Sequence, residues 1–120
     1  MNHMKTASIA MLLLVVSTTT LAGSPAFNCA KASSKVEKMI CGDSALSDAD
    51  SVNADLYKEV LHTADNPNQV KQEQRQWLKA RNACQSLDCL ANAYNSRYHQ
   101  LEHERRVNSG AVNPDGSIGH

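Results

Sequence analysis

The sequence predicts an all-α fold: a small disulfide-stapled helical bundle of three longer helices plus one short N-terminal helix. Apolar residues recur at spacings of three and four, helix-type caps and breaks punctuate the chain between them, and no segment sustains the period-two alternation of a half-buried strand. Neither an internal repeat nor a glycine-rich phosphate loop interrupts this pattern.

Taken in order, the chain opens with the signature of export. Lys5 supplies a short positive region, an apolar run follows from Ala7 to Val16, and small residues cluster from Leu21 to Ala26. The apolar core is about half the roughly 20 residues that a bilayer-spanning helix requires. Small residues suit cleavage after Ala22 (Thr20-Leu21-Ala22) and after Ala26 (Ser24-Pro25-Ala26), and the second is preferred. The resulting division is a signal peptide over 1–26, a folded domain over 27–106 and a flexible C-terminal tail over 107–120. Phe27 and Asn28 precede Cys29 where a lipidation cysteine follows small residues, so the mature form is expected without a membrane anchor, periplasmic or secreted.

Ser34-Lys35-Val36-Glu37 is a capping-box pattern that starts a short helix ending near Cys41 and Gly42. From Ser44 to His62, Leu46, Ala49, Asn53, Leu56 and Val60 form one stripe, with Asp48, Asp50, Asp55 and Glu59 mostly on other faces. Asn53 on that stripe needs a hydrogen-bond partner or a place at the core margin. Asn66 caps and Pro67 opens a third helix carrying Val70, Gln74, Trp77, Leu78 and Arg81. A fourth begins near Ser86 to Cys89 and runs to about Arg106, with Leu87, Leu90, Ala91, Tyr94, Tyr98 and Leu101 on one face. Beyond Val107 apolar periodicity ceases, which predicts the flexible tail.

All four cysteines lie beyond the signal, and an even count in a short exported chain reads as two disulfides. A zinc site is the alternative, but the C-x2-C spacing common in structural zinc sites is absent. Three connectivities are possible; local pairing, Cys29 with Cys41 and Cys84 with Cys89, is expected because each pair can join a turn to the helix beside it.

The net charge of zero hides an uneven distribution. Six acids face Lys58 alone between Asp43 and Asp65, while Lys71 to Arg106 carries seven bases against four acids. Such runs usually serve solvation; the functional reading is an acidic surface, with Asp43, Asp48, Asp50 and Asp55, that steers toward a basic partner. No basic stripe with interleaved aromatics is present, so nucleic acid is not expected as a partner.

Catalytic patterns are sparse. His99 and His103 have the spacing of two metal-binding imidazoles but no third ligand of the HExxH kind, and no serine sits in a G-x-S-x-G setting. Asp48 and Asp55 read as surface acids more readily than as a glycosidase pair. The expectation is therefore no enzymatic activity, no metal and no cofactor. Trp77, Arg81, Tyr94 and Arg97 remain: an antiparallel hairpin brings them together, either as a core anchor or as a partner-binding hot spot.

The run FNCAKASSKVEKMICGDSALSDAD, followed by Leu56-Tyr57, QRQWLKARNAC and CLANAYNSR, resembles the small exported domain named for the lysozyme inhibitor LprI. The resemblance spans about Phe27 to Leu101. It departs from the family pattern at Ala49 and Asn53, where the pattern favours leucine, and lacks the lipidation cysteine of the lipoprotein members. It implies a binding protein whose partner is lysozyme or another cell-wall hydrolase. An envelope interaction or immunity-type module that binds another exported protein, without lysozyme inhibition, is the alternative.

Overall fold

The computed structural model describes residues 24–119. The expected signal segment through Gly23, with its Ala22 cleavage point, lies outside the described residues; the Ala26 point lies inside them. Among the described residues the chain forms four helices, α1 (Lys35–Gly42), α2 (Ser44–Thr63), α3 (Pro67–Asn82) and α4 (Leu87–Asn108), after a short 3₁₀ turn at Cys29–Lys31. None of these helices is long and apolar enough to cross a membrane.

Each start is made by a short polar side chain that accepts from an amide of the first turn. Ser34 accepts from Glu37, Asp43 from Leu46, Asn66 from Gln69 and Ser86 from Cys89. At Ser34 the cap is closed from both sides, because the Ser34 hydroxyl also donates to the Glu37 carboxylate at 3.1 Å. Asp43 is thus a cap, engaged through its side chain at the start of α2.

The two bridges pair locally, Cys29 with Cys41 and Cys84 with Cys89, at Cα separations of 5.8 and 5.5 Å. One ties the N-terminal segment to the end of α1; the other locks the corner between α3 and α4. Two structural disulfides suit an oxidising compartment.

Helices α2 and α4 make the most extensive pairing, α1 packs on α2, and α3 lies against both α2 and α4. The core falls into two apolar clusters. Val36, Ile40, Leu46, Cys84, Leu90 and Tyr94 form one, and Val60, Val70 and Leu101 the other. Between them each long helix contributes a polar residue: Asn53 from α2, Gln74 from α3 and Arg97 from α4. Arg97 Nε and Nη2 donate to Gln74 Oε1 at 3.2 and 2.9 Å, and Nη1 donates to Gln100 Oε1 at 2.8 Å. The expected α4 face is corrected here. The buried seam is Leu90, Tyr94, Arg97 and Leu101, spaced four, three and four, while Leu87 and Tyr98 are exposed.

The segment after Val107 also carries more structure than expected. Helix α4 continues to Asn108 and ends in paired bonds, from Gly110 N–H to Val107 C=O at 2.9 Å and from Ala111 N–H to Arg106 C=O at 2.9 Å. Gly110, at φ 75°, supplies the left-handed residue this ending requires. The chain then folds back through Asn113–Gly116, bridging Val112 to Ile118 and burying Val112. Turn chemistry organises this stretch without the apolar periodicity that marks a helix.

Candidate functional site

A connected polar group adjoins the larger apolar cluster through Tyr94. Asp50 of α2 is only 6% exposed. Its Oδ1 accepts from the Tyr94 hydroxyl at 2.7 Å and from Arg81 Nη1 at 3.3 Å, and its Oδ2 accepts from the Ala26 backbone N–H at 2.8 Å. One carboxylate therefore joins α2, α3, α4 and the N-terminal segment. Arg81 spends its Nε and Nη2 on the side-chain Oδ1 of Asn82, at 3.1 and 2.9 Å. Burial, reinforced by the bond to Asp50, drives the Tyr94 hydroxyl far above its ordinary value of 10.0, so it stays a donor.

Trp77 seals this cluster. Its indole N–H donates to Ala93 C=O at 3.0 Å, its ring meets Tyr94 edge-on at a centroid distance of 5.3 Å, and the Arg81 guanidinium lies 5.6 Å from its ring centroid. The hairpin thus brings Trp77, Arg81 and Tyr94 together, as expected, with Asp50 added from α2. Arg97 stands one turn further along α4, in the polar layer with Gln74.

A cleft of about 300 Å³ opens beside Asp50, lined by Phe27, Trp77 and Arg81 among others. The polar groups around Asp50 are already engaged with one another, which leaves an anchored core rather than an array of free acids and bases. Among the described residues no three of His, Cys, Asp and Glu converge as metal ligands. His99 stacks edge-on against Tyr98 at 5.4 Å, and both His99 and His103 are exposed.

Burial divides the residues named as a core anchor or a partner-binding set. Asp50, Arg81, Tyr94 and Arg97 are buried, with Tyr94 at 2% and Arg97 at 1% exposure, so these side chains are presented to one another rather than to a partner. Of the four acids, Asp43 caps α2, Asp50 is the core carboxylate, and Asp48 and Asp55 are exposed. Asp55 pairs with Lys58 at 3.7 Å, both ends largely in water, an arrangement of little energetic weight.

Sequence reasoning passed over the groove between α2 and α4. Val52 is 47% exposed and Tyr98 38% exposed; with Asp48, Ala49, Asn53, Tyr94 and Asn95 they line a groove of about 270 Å³. Along α2, Asp48, Val52, Asp55 and Glu59 recur at spacings of four, three and four, so the exposed valine sits within an acidic stripe. The available signal was Val52 itself, an apolar residue off the buried stripe. At α3 and α4, burial and then the Glu73 carboxylate hold the Glu104 carboxyl above its ordinary range, with Arg97 and Gln100 opposing.

No protein-family model, curated protein or solved structure matches this chain.

Proposed function

We propose that this is an exported, non-enzymatic protein, periplasmic or secreted, that binds and blocks a muramidase of the lysozyme type, using the outer face of α2 and its groove with α4. The observation that carries the reading is the acidic stripe Asp48, Asp55 and Glu59 around exposed Val52, with Tyr98 alongside. An apolar centre with a charged rim is the anatomy of a protein interface, and its negative sign favours a basic enzyme. The resemblance to the LprI-type inhibitors supports the partner class. Its quoted residues, such as Cys29, Ile40, Trp77, Arg81, Tyr94 and Arg97, serve here as staples and interior contacts. The resemblance therefore speaks for the scaffold, and the contact surface is assigned on exposure and charge.

Lysis of cell walls, followed as loss of turbidity, tests the proposal. Lysozyme activity is expected to fall in the presence of a micromolar excess of the mature protein, and undiminished lysis overturns the reading. Tyr98→Ala is expected to weaken binding about tenfold, equivalent to ~1.4 kcal/mol at an interface anchor. Asp48→Asn with Asp55→Asn is expected to slow association and flatten its salt dependence. Helical content by circular dichroism is expected to stay constant in all three substitutions. If lysozyme is untouched while an exported protein is captured through Tyr98, the partner is a different envelope protein.

A further inference from the structure

The local small-residue rule admits processing after Ala22 or after Ala26, and it carries no information about what the folded chain needs. A signal peptidase acts on the extended chain before folding. The fold, by contrast, records which residues the mature protein uses, and here it uses residues before Phe27.

Pro25 is buried. Ala26 N–H donates to Asp50 Oδ2 at 2.8 Å, across 24 residues of sequence. The other carboxylate oxygen is engaged by Tyr94 and Arg81, while Ala26 supplies the hydrogen bond to Oδ2. Phe27 packs against the larger apolar cluster, and Cys29 pins the chain to Cys41 just beyond. Ser24–Ala26 is therefore a strap, anchored by a buried ring at Pro25, a charge-assisted bond at Ala26 and a covalent staple downstream. Cleavage after Ala26 would discard the first two anchors and leave Oδ2 of a buried carboxylate without this donor, a costly condition for a charged group.

We infer that processing falls between Ala22 and Gly23, so that the mature chain keeps Ser24-Pro25-Ala26 as part of its fold. The inference rests on the secretory reading of the N-terminal segment. A peptidase adds water across the Ala22–Gly23 peptide bond, releasing a carboxylate on Ala22 and leaving an α-amino group on Gly23. That new terminus lies two residues before the buried Pro25 in the sequence, and processing there keeps every residue of the strap. A chain beginning at Phe27 instead places an α-ammonium group next to the position of the lost Ala26 N–H, and must turn it onto Asp50 to replace the missing bond.

The test is the N-terminal residue of the full chain after expression in an exporting bacterial host, read by intact mass and N-terminal sequencing. Gly23 is expected. A start at Phe27 overturns the inference and leaves the secretory reading standing; an unprocessed chain beginning at Met1 overturns both. Ala22→Gln and Ala26→Gln give a second reading, because a long side chain next to the scissile bond blocks the peptidase. Ala22→Gln is expected to accumulate precursor, and Ala26→Gln to yield Gly23 with an unchanged Tm, since the backbone donor remains. The reverse pattern overturns the inference. Ala26→Pro removes the donor itself and is expected to lower the Tm of the exported protein by about 5 °C or more. An unchanged Tm overturns the strap, because position 26 then contributes nothing to the mature fold.

Discussion

Asn53 carries a cost that a single substitution can remove. Its Nδ2 donates to Ala49 C=O at 2.9 Å and Tyr94 C=O at 3.4 Å, yet its Oδ1 is buried without a partner. Both acceptor carbonyls lie inside helices whose own ladders engage them, so losing the side-chain amide leaves little unsatisfied. Asn53→Leu is expected to raise stability by about 1–2 kcal/mol, read as a higher Tm in thermal unfolding, because it exchanges an unpaired buried oxygen for apolar contact. The sequence marked this position correctly as polar on an apolar stripe. It did not mark Asp50 as interior, because a charged side chain is ordinarily exposed unless paired, and its partners come from other elements of the fold. Composition and spacing along one helix are blind to a partner such as Tyr94, 44 residues from Asp50.

At the scale of the helices, the starts were legible almost to the residue because each cap is a local hydrogen bond between residues three apart. The α4 face was less so. Leu87 and Tyr98 read as part of an apolar band, but the 4-3-4 seam centred on Tyr94 and Arg97 turns both outward. The α3–α4 pairing contains a pH-sensitive contact. Burial and the Glu73 carboxylate raise the Glu104 pKa, while Arg97 and Gln100 act in the other direction. The folded chain therefore binds this proton more tightly than the unfolded chain. Its contribution to stability falls as pH rises from the unfolded carboxyl value through the raised folded value. Glu104→Gln is expected to raise the Tm at pH 7, and the advantage is expected to shrink as pH falls below the ordinary carboxyl range. Parallel melts of the two proteins from pH 3 to pH 8 check both the sign and the trend.

For the whole molecule, the bridges set how much stability covalent closure supplies. The Cys29–Cys41 loop spans a separation of 12 residues and the Cys84–Cys89 loop a separation of 5. Loop entropy assigns about 3 kcal/mol to the first and about 2 kcal/mol to the second. Paired serine substitutions at Cys29 and Cys41 are expected to cost more than those at Cys84 and Cys89, measured by urea unfolding at equal pH. The longer bridge has a further effect when the backbone itself is cut. Lys31, Lys35 and Lys38 are exposed and all lie between Cys29 and Cys41. Trypsin acting after any one of them opens the polypeptide without freeing a fragment. The strap that reaches Asp50 stays tethered to α1 by sulfur, and the nicked protein remains one covalent object until a reductant arrives.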